Sequence, residues 1–539
     1  QLGVGRGDTV AFISNNSVEW AVACYATYGL GARFVPMYEA ELLRIWKYIL
    51  ADSGTKVLFA SQPEILEQVA GFPDEIEGLE KVILIPGDGP DTMNALEALG
   101  AENPVPSVRP DPEEIAGLVY TSGTTGNPKG VLLTHHNLST NVSALLHAVG
   151  DAMGKDDVTL SFLPWAHSFG QVAELHMLVS LGASTGFAER PETIISDILL
   201  VHPTILFAVP RIFNKVHGGI HKKMDDTGGF AKWLFYRTRS ASQAKRDGRA
   251  GLLDQLFLAV GERVVYSKIR DKLGGRLRMS VSSSAALNPN IGDFFDDIGI
   301  NIYEAWGMTE LSPGHTANTP KAKRRGSVGR PLLGCRVEID RSQTGADSKD
   351  GEVIAYGPNV MQGYQNLPEA TAEVLRPDGG LHTGDLGWVD EDGFLFISGR
   401  IKEQYKLENG KYVFPVGIEE AIKLSPYVEN AMLHGANKPF NAVLIVPDFA
   451  TLDPWAKDKG LPEDHEALVA TPEVSTLLES EVQRTCTEFA RYEIPKKLVL
   501  VSEPFSPANG ILTPTLKLKR RKAIERYGEQ LDALYGDKG

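Results

Sequence analysis

The sequence predicts an α/β protein with doubly wound sheets, a small β unit and a mixed α and β tail, and three observations carry that expectation. Strand patterns alternate with helix patterns from residue 9 to residue 86. Short strands and Gly-rich turns fill 326–400, and helices and strands mix again after residue 402. No low-complexity linker separates these stretches, so any hinge between lobes is short.

In chain order, TVAFIS (9–14) reads as a strand, VEWAVACYATYGLGA (18–32) as a helix and RFVPMY (33–38) as a strand. ELLRIWKYILADSG (41–54) is helical, and KVLFAS (56–61) and KVILIP (81–86) are strands. This alternation predicts a parallel sheet covered by helices on both faces. The Gly, Pro and Asp-rich loop 87–112 is read as closing that unit, and a second βα series is read over 115–319. Within it, 193–213 is apolar but interrupted by Asp197, His202, Pro203, Pro210 and Arg211. It therefore predicts a buried helix followed by a buried strand, since a membrane span needs about 18 uncharged apolar residues.

Residues 215–278 are helical and charged, with KKMDD, RTRSASQAKRDGR and LLDQLFLAVGERVVYSKIRDKL. They predict a helical insertion with one amphipathic face, either a packed surface excursion or a face for a membrane surface or a partner. VEID, GEVIAYG and FLFISGR predict the small β unit. GIEEAIKLSPYV (417–428) is a helix, AVLIVPD (442–448) a strand, and helices follow.

Composition narrows the function. The 539 residues are 42% apolar and 23% charged, an ordinary globular mixture. A net charge of −15 argues against non-specific nucleic-acid binding but leaves room for a locally basic pocket. Cys24, Cys335 and Cys486 lie far apart with no CxxC, which supports neither zinc fingers nor a disulfide scaffold. A cytoplasmic location is expected, with at most peripheral contact with the inner face of a membrane. No signal-peptide pattern is visible. The chain begins at Gln1, directly before a strand pattern, so upstream residues are expected to be missing.

The chemistry concentrates in YTSGTTGNPKG (120–130). Gly-rich turns let backbone N–H groups approach phosphate oxygens, hydroxyls add donors, and a lysine adds charge. The run therefore suits a polyphosphate. It sits between the strand patterns IAGLVY and GVLLTH, whereas a Walker loop needs GK[ST] before a helix.

This run closely resembles the signature of the adenylate-forming superfamily of acyl-CoA synthetases, luciferase-like enzymes and peptide-synthetase adenylation domains. The resemblance implies that Thr121, Ser122, Gly123, Thr124, Thr125, Gly126 and Lys129 cradle the β and γ phosphates of ATP. YEAWGMTE (303–310) resembles the family's aromatic-Gly-x-Thr-Glu motif and implies that Trp306 stacks on adenine, Thr309 contacts the α-phosphate and Glu310 holds Mg²⁺. LHTGDLGWVD (381–390) and ISGRIKE (397–403) imply that Asp385 grips the ribose hydroxyls, that Arg400 assists and that Lys402 is the hinge. VSSSAALNP (281–289) aligns with the adenine-side stretch, placing Ser284 and Ala285 there. Ser283 and Ser284 stand where the family has glycines, and Ala286 where it has proline. LPWAHSFG (163–170) implies that His167 lines the acyl site.

ILTPTLKLKRR (511–521) is similar to the form found in long-chain acyl-CoA synthetases, and it implies that Lys517 is the catalytic lysine. By charge alone Lys519, Arg520 and Arg521 are rivals. VPRIFNKV (209–216) and KLENGKYVFPVGIEEAIKLSPYV (406–428) also resemble the long-chain enzymes, the bacterial ones most closely.

The resemblance implies a large N-terminal lobe of doubly wound mixed sheets, 1–401, and a smaller mobile α+β lobe, 402–539. The implied activity is an ATP-dependent fatty-acid–CoA ligase that forms acyl-AMP and releases AMP and pyrophosphate. Its substrates would be a fatty acid, ATP and coenzyme A, with Mg²⁺; a homodimer is left open. The alternatives are an acyl-AMP ligase serving a carrier protein, a non-catalytic nucleotide-binding protein, and a Ser hydrolase built on GASTG (182–186). KAKRR (321–325) is either a contact for CoA phosphates or an exposed basic loop.

Overall fold

The computed structural model describes residues 2–121, 127–190, 192–344, 348–513 and 517–536. Two seven-stranded sheets form the large lobe. The first runs in the order Gly363–Tyr364, Lys129–Thr134, Ile115–Thr121, Arg33–Met37, Thr9–Ile13, Thr55–Ala60, Lys81–Leu84. It is parallel from Ile115–Thr121 onward and antiparallel at the other edge.

This order corrects the expected boundary at 87–112. The hairpin 115–134 returns to the first sheet, with Phe34 opposite Gly117. A Cβ on Gly117 would lie 2.6 Å from the Phe34 carbonyl oxygen, so glycine allows the close approach. Leu118 and Tyr120 pack on one face with Trp46 and Leu50, while Val119 joins the core on the other. A strand buried on both faces shows no alternation, so its sheet cannot be read from pattern.

The second sheet orders Arg330–Pro331, Gly314–Ala317, Asn301–Gly307, Met279–Ser282, Ile205–Ala208, Val158–Ser161 and Ser184–Phe187. The apolar core between the two sheets includes Val119, Val131, Phe207, Met279 and Trp306. Helix His135–Val149 starts directly after the hairpin through a capping box, in which Thr134 and Asn137 satisfy each other's backbone N–H groups. Strand Ile205–Ala208 is buried throughout as expected, but helix Ile194–Val201 buries only Ile194, Asp197 and Ile198 and exposes Ile195, Leu199 and Leu200, which corrects the expected buried helix.

A π-helical segment, Phe169–His176, is buried at all eight residues. Its Glu174 accepts from Ser161 Oγ at 2.6 Å and Trp165 Nε1 at 2.9 Å, and burial raises its carboxyl from 4.5 to about 8. The folded chain therefore keeps this proton between pH 4.5 and 8, where the unfolded chain has lost it. Stability must fall with rising pH across that window, by up to about 1.4 kcal/mol per pH unit from this group. Glu174→Gln is expected to remove that slope, so the variant gains on the wild type from pH 5 to pH 8 in urea melts. Parallel pH curves for the two proteins would refute it.

The small β unit is an antiparallel sheet of Arg336–Asp340, Gly351–Tyr356, Leu381–Val389 and Leu395–Arg400. Two neighbouring segments leave it: Arg330–Pro331 and Gly363–Tyr364 close the edges of the large sheets. The C-terminal part has its own sheet, Val428–His434, Ala442–Pro447 and Lys497–Leu500, and its own apolar clusters.

The insertion folds as helices Pro210–Thr227, Gly229–Arg246 and Leu252–Gly261, a π-helical turn Glu262–Tyr266 and helix Ser267–Lys272. Among the described residues no helix is long and apolar enough to cross a membrane.

GASTG does not form a nucleophile elbow. Gly182 ends helix Met177–Leu181, and Ser184 opens the edge strand Ser184–Phe187 rather than a strand-to-helix turn.

Candidate active site

A cavity of about 3280 Å³ lies where the C-terminal sheet unit meets the large lobe, and residues from both line it. The described residues that the family motifs nominate all line this cavity, Thr121, Lys129, His167, Ser284, Ala285, Trp306, Thr309, Glu310, Asp385, Arg400, Lys402 and Lys517, as do the rivals Lys519, Arg520 and Arg521. Ser122, Gly123, Thr124, Thr125 and Gly126 lie outside the described residues. The hairpin pairs Thr121 with Lys129, which brings the two ends of that loop together at the cavity.

Strand pairing sets Asp385 opposite Arg400. Arg400 Nε stands 2.9 Å from Asp385 Oδ1, and Trp306 Nε1 donates to Oδ2 at 2.8 Å. The indole edge is thereby pinned. Asp385 Oδ1 is buried against the Arg400 guanidinium, and its remaining lone pair keeps acceptor capacity suited to a diol. The glycine after Trp306 is obligatory: a Cβ on Gly307 would lie 1.8 Å from the Pro313 carbonyl oxygen. That tight contact turns the chain toward the short 3₁₀ segment Thr309–Leu311.

Glu310 is buried on this segment and accepts from the Tyr364 hydroxyl at 2.8 Å. Burial, with Glu310 beside it, holds the Tyr364 hydroxyl well above the usual phenol range. The ammonium of Lys129 sits 4.7 Å over the Tyr364 ring. Tyr364 thus links the loop lysine to the carboxylate, and sequence reasoning missed it. It stands 54 positions from Glu310 on a two-residue edge strand, with no local pattern to mark it.

Ser168 Oγ lies 3.1 Å from Thr309 Oγ1, which draws the His167 segment to the same place. The Phe169 N–H donates to His167 Nδ1 at 3.2 Å, so in the neutral ring Nε2 carries the proton. Burial, aided by the Lys517 charge, pushes His167 down to about 3, leaving a neutral N–H donor at the cavity wall.

Lys517 lies exposed to the open cavity, where crowding by the cavity walls first and the Arg400 charge second hold its pKa below the ordinary lysine value, while Asp385, Glu310 and Glu403 favour its charge. Thr513 fixes its backbone: the Lys517 N–H donates to Thr513 Oγ1 at 3.0 Å, and its carbonyl accepts from the Thr513 N–H at 2.8 Å. Two of its rivals by charge are committed elsewhere. Arg520 grips Glu419 with bonds of 2.7 and 2.9 Å and donates to the Leu433 carbonyl. Arg521 pairs with Glu525 at 3.0 Å. Lys402 is exposed in a turn whose Glu403 and Gln404 N–H groups both donate to the Arg400 carbonyl.

Ser284 lines the cavity at φ 74°, a left-handed conformation that explains why glycine suits this position in the family the motif resembles. Three of the four basic residues in 321–325 are paired with carboxylates of the large lobe. Lys323 bonds Asp296, Arg324 bonds Asp390 and Asp392, and Arg325 bonds Asp293. This favours the exposed-loop reading over a CoA contact.

Two wound sheets, a small lobe and a cavity that gathers a lysine, a diol-ready aspartate and a carboxylate beside a phosphate-type loop define an adenylate-forming enzyme. The chain belongs to the AMP-binding enzyme family, whose description matches residues 1–365, and the AMP-binding enzyme C-terminal domain matches 402–539.

Among curated relatives it is 32% identical to the long-chain-fatty-acid–CoA ligase FadD15 of Mycobacterium bovis, over 99% of this chain and 89% of that one. It is 31% identical to human long-chain-fatty-acid–CoA ligase 1, over 98% and 78%. The adenylation domain of a carboxylate reductase from Mycobacterium chelonae shares the fold, with a TM-score of 0.78 at 23% identity over 99% of this chain and 81% of that one. So does the anthranilate CoA ligase AuaEII in complex with anthranoyl-AMP, with a TM-score of 0.74 at 21% identity over 99% and 89%.

Proposed function

We propose that this chain is an ATP-dependent, AMP-forming ligase that activates a long-chain fatty acid as its acyl-adenylate and transfers the acyl group to coenzyme A. The observation that carries the reading is Lys517, which reaches from the C-terminal part of the chain to Asp385, Arg400 and Glu310 in one cavity. The acid and thiol substrates rest on the ligases to which the chain is similar over nearly its whole length.

A carboxylate is a poor acyl donor because oxide is a poor leaving group. Its oxygen must attack the α-phosphorus of ATP, which brings two anions together, so charge neutralisation dominates the barrier. In this reading the 122–126 loop and Lys129 hold the β and γ phosphates. Lys517 meets the charge developing between carboxylate and α-phosphate, and Thr309 donates to the α-phosphate. Trp306 stacks on adenine beside Ser284 and Ala285, while Asp385, steadied by Arg400, takes the ribose hydroxyls. His167, neutral with Nε2–H, can donate to the acyl carboxylate without trapping it as an ion pair.

Among the described residues no cluster of three His, Cys, Asp or Glu could hold a metal. Glu310 fits Mg²⁺ all the same, because among the described residues only its Oε1 takes a hydrogen bond and this ion is commonly held by one or two carboxylates plus phosphates and water. When bound, Mg²⁺ supplies charge neutralisation at the phosphates.

The second half-reaction needs a thiol at the carbonyl that Lys517 occupies. The reading therefore includes two lobes, 1–401 and 402–539, with Lys402 as the hinge that carries the lysine away. Lys402→Pro fixes φ at that position. It is expected to leave ATP–pyrophosphate exchange within about twofold of wild type, while thioester formation falls by about 10² from misplacement of the small lobe. Equal losses in both half-reactions would remove Lys402 from the hinge role.

Pyrophosphate release against C2 to C20 carboxylates, each with and without CoA, tests the whole reading. CoA-dependent turnover peaking at long chains is expected. Adenylate formation indifferent to CoA would move the acceptor to a carrier protein.

A further inference from the structure

Residues 210–278 hold sixteen Lys and Arg against six Asp and Glu, in a chain whose net charge is −15. Positive charge is thus concentrated in the helical insertion. Four of the six acids are already paired within it: Asp225 with Lys232, Asp254 with Arg237, Asp247 with Arg249 and Glu262 with Arg270. Among the described residues, Lys222, Lys223, Lys245, Arg263, Lys268 and Lys272 are exposed and pair with no carboxylate.

The same insertion exposes large apolar side chains. Leu252 is 85% exposed, Leu253 68%, Leu256 58%, Phe230 66% and Trp233 51%. Trp233 has ring contacts with Phe230 and Phe257, each at 5.6 Å, so the starts of two helices form one apolar surface. Leu252, Leu256, Val260, Val264, Lys268 and Lys272 stand four apart along the unbroken helical run 252–272, and all are exposed. The stripe changes from apolar to basic along its length. That is the composition of an interfacial helix rather than of a surface helix whose apolar stripe faces the core. The cavity that holds Lys517 also reaches Met224, Phe230, Ala231, Val264 and Lys268, so its far end meets this surface.

We propose that the Phe230, Trp233 and Leu252–Val264 face docks on an anionic lipid bilayer and that the acyl substrate passes from the bilayer into the cavity there. Charge selects this occupant. A second copy would bring one basic face against another across a two-fold contact, whereas anionic headgroups complement the free lysines and arginines while the leucines and aromatic rings enter the acyl boundary. The delivery half of the proposal rests on the ligase reading, and the docking half does not.

The test sediments the full chain with phosphatidylcholine vesicles, with and without phosphatidylglycerol. Binding is expected only with phosphatidylglycerol and is expected to weaken at high salt. Leu253→Glu/Leu256→Glu changes two exposed side chains that do not line the cavity. It is expected to lower vesicle affinity by at least about tenfold, since two apolar side chains leave the bilayer and two negative charges are added. Turnover of a short, water-dispersed carboxylate should be unchanged, while turnover of a fatty acid presented in the vesicles should fall.

Lys245→Glu/Arg263→Glu, which spares the apolar surface, is expected to lose the phosphatidylglycerol-dependent binding as well. Wild type that ignores phosphatidylglycerol, or variants that sediment as well as wild type, would overturn the proposal. So would a lipid-free dimer that the leucine variant dissociates, since the face would then belong to a second copy. Sedimentation needs no turnover, so a failure of the ligase reading would show separately, as absent pyrophosphate release in wild type and variants alike.

Discussion

Lys517→Ala is expected to lower ATP–pyrophosphate exchange by about 10²–10³, the size of losing one charged contact made in the transition state. ATP affinity should change little, because in this reading the phosphates and ribose are held by other groups. The melting curve should also stay in place, since among the described residues no ion pair holds Lys517. Its depressed pKa adds a second signature. The protonated form is lost sooner as pH rises, so the alkaline limb of adenylation should lie below the range of an ordinary lysine, from crowding by the cavity walls first and Arg400 second.

The rival arginine behaves differently. Arg520→Ala strips the partner from buried Glu419 and should cost about 3–5 kcal/mol of stability. Unchanged exchange in Lys517→Ala would end the assignment of this lysine.

Glu310→Gln is expected to slow adenylation by about 10²–10³ and to shift half-saturation by Mg²⁺ upward. The substitution keeps shape and keeps an acceptor for the Tyr364 hydroxyl, so folding should be unaffected. Only the charge is removed, and that charge is what a divalent ion on this side chain requires. Mg²⁺ dependence measured by pyrophosphate release decides it: identical titrations for variant and wild type would place the metal elsewhere. Tyr364→Phe, which frees the Glu310 oxygen while keeping the ring under Lys129, should have a much smaller effect.

The sequence made the wound sheets, the small β unit and the helical insertion legible, because each is written in local periodicity and turn chemistry. The motif-bearing residues were legible for a different reason. Gly307 admits no side chain beside Pro313, and Asp385 is registered against Arg400 by the hairpin that carries both, so their spacing reflects fixed local geometry. The hairpin 115–134 was misplaced because a strand buried on both faces gives no alternation, and only its pairing with Phe34 assigns its sheet. Tyr364 was invisible because its partners are distant in sequence: Lys129 comes from the neighbouring strand and Glu310 from the 3₁₀ segment Thr309–Leu311.

By itself, then, the sequence determined the class of fold and the chemical inventory of the site: a phosphate-type loop, a diol-type aspartate and a lysine in a basic run. The tertiary structure alone decided that Arg520 and Arg521 are committed to Glu419 and Glu525, that Tyr364 joins Lys129 to Glu310, and that the insertion leaves its leucines uncovered. Local periodicity and spacing follow from bonds between near neighbours. Burial, by contrast, depends on what distant segments cover, and only the packed chain determines that.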